Sequence, residues 1–335
     1  MQLKPINEQV VVIMGASSGI GRATALKFAE RGAKLVLAAR GQGKLDALVT
    51  EIESMGGTAV AKVADTSDWD QVKAVADWAI AVYERIDTWV HNASIAFYAK
   101  FEDITPDEFK HVIDVNLVGQ AYGAMAALPH LKREGRGALI HVASIESQVA
   151  FPFQSAYAAS KHGIPGFLDA LRLELRHDKI PISVTTIMPA AINTPFYGQA
   201  KTKLGVKPNA VPPIYQPETV ADQIVYAAEH PVRDLIAGGS GAAFITINKL
   251  SPRLMDVLRL LGGFGPQKTD EPKGPDESNN FYAPLPDQRI QGEWSTQALG
   301  SSAYNWLTRH PFVRRTLLSA AVGAVALLAS RAADD

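Results

Sequence analysis

From Val10 to Ala237 the chain alternates between short, mostly apolar runs and longer stretches in which apolar residues recur every three or four positions. The first run, Val10–Met14, is mostly β-branched and reads as a strand buried on both faces. A glycine-rich turn, Gly15-Ala16-Ser17-Ser18-Gly19-Ile20-Gly21, follows it directly, and a helix then extends to about Arg31, where Gly32 is placed to end it. Leu35–Ala39 is the next buried strand, completing one βαβ unit. The pattern repeats as a helix from about Lys44 to Met55 closed by Gly56-Gly57, strand Thr58–Val63, helix Trp69–Tyr83 and strand Thr88–Asn92. A long helix is predicted from Thr105 to about Lys132, entered through Thr105-Pro106-Asp107-Glu108, which has the residues of a capping box with proline in the first turn. Strand Ala138–Ser144 follows, then a helix from Ser155 to about Arg176, in which Pro165 predicts a kink or irregular turn, then strand Ile182–Met188. A proline-rich loop, Ala190–Gln216, leads to helix Pro217–Glu229 and strand Asp234–Ala237.

Seven strands with interleaved helices predict an α/β fold, a doubly wound parallel sheet of the Rossmann type, as a single domain over residues 1–250. Residues 251–335 form a C-terminal extension of different character. Within it, Gly262–Asn280 is dense in glycine, proline and charge and reads as irregular or mobile rather than core, while Thr316–Ser330 is a last apolar helix candidate flanked by Arg314, Arg315 and Arg331.

Composition narrows the partners. A hydrophobic fraction of 47% over 335 residues suits a globular protein with a sizeable core. A net charge of −1 supplies no basic field for nucleic acid, which leaves a small molecule as the expected ligand. The chain has no cysteine, so disulfides, thiolate metal sites and thiol redox chemistry are excluded. His91, His111, His141 and His162 show no ligand-like grouping with acids, and no metal is expected. Met1–Gln9 is polar and does not read as a secretory signal, pointing to a cytoplasmic protein. The tail candidate Thr316–Ser330 would span about 22 Å as a helix, short of the roughly 30 Å hydrocarbon core, so packing on the domain or a partner is favoured over tail-mediated membrane association.

Two constellations carry chemistry. In the first, Ser144 ends an apolar run, Tyr157 lies beyond it, and Lys161 is four residues further, on the same helical face as the tyrosine. An ammonium beside a phenol favours the phenolate and makes tyrosine usable as an acid or base, while the serine hydroxyl can share a substrate oxygen with it. A second Tyr-x-x-x-Lys pair, Tyr197 and Lys201, lies in loop-like sequence and lacks such a serine. The second constellation is the glycine turn, where Gly15, Gly19 and Gly21 let the backbone approach a pyrophosphate at a helix N-terminus. Arg40, rather than an acid, follows the second strand, which favours a 2′-phosphate and hence NADP(H) over NAD(H). Asp65 either bonds an adenine amino group or caps the next helix, Asn92 stands at the carboxyl edge of the fourth strand, and Asn116 is a polar residue within a helix.

Taken together, these residues resemble the short-chain dehydrogenase/reductase family over about residues 7–250. Gly15, Gly19 and Gly21 match its T-G-x-x-x-G-x-G turn, with Met14 in place of the threonine. His91-Asn92-Ala93-Ser94 matches N-N-A-G, with His91 and Ser94 as departures, and Pro189 and Thr194 match P-G-x-x-x-T, with Ala190 in the glycine's place. Asn116, Ser144, Tyr157 and Lys161 match the catalytic tetrad. The resemblance implies hydride transfer between nicotinamide and a carbonyl or secondary alcohol. Tyr157 would exchange the proton, Lys161 would lower its pKa and hold the ribose, Ser144 would bind the substrate oxygen, and Asn116 would order a water. It also places Ser17, Ser18, Ile20, Pro189, Ile192 and Thr194 at the cofactor and implies a homo-oligomer formed through the two long helices. Phe97, Tyr98, Phe151, Phe153, Phe196, Tyr197 and Tyr215 suggest an apolar or aromatic substrate. The competing reading is a catalytically weak NADP-binding regulator or scaffold.

Overall fold

A computed structural model of the protein describes residues 1–316 and 319. The seven apolar runs form one parallel sheet: β1 (Val10–Met14), β2 (Lys34–Ala39), β3 (Thr58–Val63), β4 (Thr88–His91), β5 (Gly137–Val142), β6 (Ile182–Pro189) and β7 (Asp234–Ala237). Their spatial order is β7-β6-β5-β4-β1-β2-β3. Every residue of β1, β4, β5 and β6 is buried, the polar Thr88, His91, His141, Ser183, Thr185 and Thr186 included, whereas β3 at the sheet edge exposes Lys62 and Val63. Chain order reverses between β1 and β4, and doubly wound sheets open their ligand crevice at the strand carboxyl ends beside such a reversal.

Helices cover both faces. Phe28 of α1 (Gly19–Glu30), Leu45 and Leu48 of α2 (Gln42–Ser54) and Ile224 of the helix Pro217–Glu229 share one core with the sheet. Val72 of α3 (Trp69–Tyr83), Ala127 of the helix Gly119–Arg133 and Leu168 of the helix Ser155–His177 share the other. Fully burying side chains such as Phe28 or Leu168 contributes about 1.5–3 kcal/mol each.

The predicted helix from Thr105 is one rod in three parts: α4 (Pro106–Ile113), a single π-helical turn Asp114–Val118, and α5 (Gly119–Arg133). The capping box is present at its start: Thr105 Oγ1 accepts from the Glu108 amide and Glu108 Oε2 accepts from the Thr105 amide at 3.0 Å. α6 (Ser155–His177) runs through Pro165 with no irregular turn. A π-turn falls instead at Asn116, where it re-aims a buried amide.

Beyond the sheet, α7 (Pro217–Glu229), α8 (Gly239–Leu250) and α9 (Pro252–Gly262) are followed by a segment that departs from expectation. Gly262–Asn280 includes a strand, Lys268–Pro272, antiparallel to Val206–Pro208, and a buried Gln267. Tertiary hydrogen bonds order this segment, which composition alone marks as irregular. The chain then crosses the carboxyl edge of the sheet and ends its described course near α10 (Ala303–Arg309). Among the described residues no helix is long and apolar enough to cross a membrane, and the tail candidate Thr316–Ser330 lies, apart from Thr316 and Ser319, outside them.

Candidate active site

One deep cleft opens at the carboxyl ends of β1, β2, β4, β5 and β6, and residues of both constellations line it. At the floor, Gly15 turns the chain with φ +81°, and a Cβ there would stand 2.7 Å from Ala93 Cα; at Gly21 it would run into the Gly15 carbonyl. Asn92 locks the turn to the end of β4 by donating from Nδ2 to the Gly15 carbonyl at 3.1 Å. Ser17, Ser18, Gly19 and Ile20 face the cleft from the start of α1, and Pro189, Ile192 and Thr194 face it from the end of β6.

At the far end of this floor stand two cations, Arg40 after β2 and Lys44 in the first turn of α2. Burial lowers the pKa of both, opposed by Asp65 at Arg40 and by Asp287 at Lys44. Lys44 was not among the residues singled out from the sequence, although a basic residue one turn into the helix after a strand end is a readable signal. Asp65 also lines the cleft, but its carboxylate holds a local turn, accepting from the Ser67 amide at 2.9 Å and hydroxyl at 2.7 Å. The helix cap that was its alternative role belongs to Asp68, which accepts from the Gln71 amide at 3.1 Å.

Ser144, Tyr157 and Lys161 converge on one wall and are buried. Ser144 stands just past β5, with Oγ accepting from the Glu146 amide at 3.1 Å and sharing a hydrogen bond with the Tyr157 phenol. Lys161 lies one turn beyond Tyr157 on α6, its Nζ 5.4 Å from the phenol ring centroid and donating to the Val142 carbonyl at 3.1 Å. Here the charge balance differs from the simple stacking argument. Burial raises the Tyr157 pKa rather than lowering it, and Glu146 raises it further. Burial also pulls Lys161 down to about 7, so its ammonium is held weakly where the phenolate would need it.

Glu146 is a further residue that sequence reasoning missed. It is 6% exposed, lines the same cleft, and its Oε2 has no hydrogen-bond partner among the described residues. Burial pushes its carboxyl up to about 8, so the acid is mostly neutral at pH 7. Its signal was an acid two positions after a strand-end serine in an apolar context.

Asn116 is fully buried in the π-turn, and its amide is spent on one residue: Oδ1 accepts from the Ile95 amide at 2.8 Å and Nδ2 donates to the Ile95 carbonyl at 2.9 Å. It pins the loop after β4 against the helix. Below the site, His91 and His141 stack with ring centroids 5.9 Å apart. Thr66 bonds His91 at 2.8 Å and Gln120 bonds His141 at 2.6 Å, and burial lowers the pKa of both imidazoles.

Of the aromatic residues expected near the substrate, Tyr98, Phe151, Phe196 and Tyr197 reach the cleft, joined by Phe244. Phe97, Phe153 and Tyr215 do not; Phe97 packs on Phe281, Phe153 on Phe264, and Tyr215 is core. Tyr197 therefore enters the site without its lysine, because Lys201 pairs with Glu108 at 2.8 Å.

The arrangement fits a dinucleotide: a floor cleared of Cβ atoms, the amides at the start of α1, and two cations at the distal end. The model of the short chain dehydrogenase family matches residues 9–205. An uncharacterized oxidoreductase of Bacillus subtilis strain 168, YxnA, is 36% identical over 324 residues, covering 96% of this chain and 91% of the relative. A cyclohexanol dehydrogenase of Acinetobacter sp. strain SE19 is 31% identical, covering 66% of this chain and 87% of that protein. Among solved structures, an alcohol dehydrogenase from the archaeon Thermococcus sibiricus, complexed with 5-hydroxy-NADP, aligns with a TM-score of 0.60 and 25% identity over 68% of this chain and 95% of that one. The chain belongs to the short-chain dehydrogenase family. It is an NAD(P)-dependent oxidoreductase acting on CH–OH or C=O groups.

Proposed function

We propose that this protein is an NADP(H)-dependent oxidoreductase of apolar or aromatic carbonyl compounds and their secondary alcohols. The observation that carries the reading is the convergence of Ser144, Tyr157 and Lys161 on one buried wall of a cleft whose floor is the glycine turn. The bound cofactor supplies or accepts the hydride. Ser144 hydrogen-bonds the substrate oxygen, and Tyr157 gives it a proton as the alkoxide develops, or removes that proton in the reverse direction. Lys161, held by the Val142 carbonyl, supplies positive charge beside the phenol and a donor for the nicotinamide ribose. Asn116 fixes the loop after β4 and so positions the cofactor's neighbours Asn92 and Ile95.

The preference for NADP(H) rests on Arg40 and Lys44, two cations at the end of β2 where an acid would select the unphosphorylated ribose. Tyr98, Phe151, Phe196, Tyr197 and Phe244 support an apolar or aromatic substrate, and the cyclohexanol dehydrogenase relative supports an alicyclic one. A spectrophotometric screen of NADPH and NADH against aromatic, alicyclic and polyhydroxy carbonyl compounds tests the whole reading. The expected result is turnover of the apolar compounds with kcat/KM at least about tenfold higher for NADPH, a difference of roughly 1.4 kcal/mol. NADPH binding without oxidation across the panel would overturn it in favour of a regulator or scaffold.

A further inference from the structure

The C-terminal extension lies beyond the family match, yet it touches the groups that should hold the cofactor's phosphates. Arg40 donates from Nη2 to the Asn280 carbonyl at 2.6 Å and from Nη1 to the Tyr282 carbonyl at 3.1 Å. Lys44 donates to the Asp287 carbonyl at 3.2 Å, and the first amide of α1, at Gly19, donates to the Arg289 carbonyl at 3.0 Å. Asn280, Pro284 and Leu285 line the cleft beside Arg40, Lys44 and Asp65.

This segment is anchored at both ends. Phe281 is fully buried against Phe97 and His111, with its carbonyl bonded to His111 at 2.8 Å. On the other side, the Gly292 amide donates to the Asn193 carbonyl at 3.2 Å, the Trp294 amide to Asn193 Oδ1 at 3.1 Å, and the Leu299 amide to the Ile214 carbonyl at 2.8 Å. Between the anchors, residues 282–291 span the mouth of the cleft at its cationic end. Backbone carbonyls of Asn280, Tyr282 and Asp287 accept from Arg40 and Lys44, so the strap orients both cations, and the Asp287 carboxylate favours the charged form of Lys44. Arg40 has five N–H donors, and the strap engages only part of that set.

We infer that residues 280–289 are a cofactor-binding subsite: they enclose the adenosine phosphate end of the dinucleotide, with Pro284 and Leu285 as an apolar wall and the strap carbonyls presetting Arg40 and Lys44. Because the strap closes on the Gly19 amide and both cations, the dinucleotide enters and leaves only when it lifts.

The inference rests on the nicotinamide-cofactor reading, and its test separates the two. Dissociation constants are measured for NADPH, for adenosine 2′,5′-bisphosphate and for reduced nicotinamide mononucleotide, with the unaltered protein and with Leu285→Asp and Leu285→Met. Amide hydrogen exchange over residues 280–292 is followed with and without NADPH. Leu285→Asp is expected to weaken NADPH and the bisphosphate by about tenfold or more. It should leave the mononucleotide unchanged, Leu285→Met should bind as the unaltered protein does, and NADPH should slow exchange across the strap. Equal affinities in a folded Leu285→Asp, or exchange at residues 280–292 indifferent to saturating NADPH, would overturn the subsite. Failure of the unaltered protein to bind either NADPH or NADH would overturn the cofactor reading and the subsite together.

Discussion

Tyr157 meets two neighbours that pull its proton in opposite directions. Its hydrogen bond with Ser144 favours the phenolate, whereas burial and Glu146 oppose it. Glu146 has a carboxyl pKa of about 8, so as pH rises through that value an anion forms beside the phenol and makes the phenolate harder to reach. Alcohol oxidation needs the phenolate. In Glu146→Gln no such anion forms, the Tyr157 pKa falls, and the ascending limb of kcat/KM for alcohol oxidation is expected to move to lower pH; an unmoved limb, or one displaced upward, would contradict this. At this scale the convergence of Ser144, Tyr157 and Lys161 was legible because the signal is local, a Tyr and a Lys one helical turn apart and a serine at a strand end. Glu146 and the true surroundings of Asp65 were not, because burial and hydrogen-bond partners decide what a carboxyl does.

Strands and helices were read most accurately where the apolar pattern is unambiguous. Val10–Met14, Thr58–Val63, Trp69–Tyr83, Pro217–Glu229 and Asp234–Ala237 appear with the bounds expected of them. The irregular turn at Asn116 has a physical reason. The π-turn is stabilised by two hydrogen bonds from a distant loop that no local pattern reveals. The helices also bear on assembly. Ala159, His162, Gly166, Ala170 and Leu173 recur at helical spacing on the exposed face of α6, where small side chains permit close approach of another helix. The expected homo-oligomer through this helix predicts more than one copy by light scattering and a fall to the monomer mass in Ala170→Arg. A monomer in the unaltered protein, or an unchanged mass in the variant, would contradict it.

Across the whole molecule, the parallel sheet and a cleft at its carboxyl edge follow from βα alternation. The extension did not follow. Its glycines, prolines and charges lack any period, and its order comes from contacts with Phe97, His111, Asn193, Arg40 and Lys44. The YxnA relative, matched over 96% of this chain, shares the length that includes it. The proposed chemistry lies between the wall of Ser144, Tyr157 and Lys161 and the strap: Tyr157 exchanges the proton while hydride passes between NADPH and a carbonyl carbon. Its most direct test is the reduction of an apolar ketone with NADPH carrying deuterium at both nicotinamide C4 positions, by the unaltered protein and by Tyr157→Phe. Deuterium on the carbinol carbon, with kcat/KM lowered about a hundredfold or more in Tyr157→Phe at unchanged NADPH affinity, is the predicted result; deuterium-free alcohol, or the parental rate in Tyr157→Phe, would contradict it.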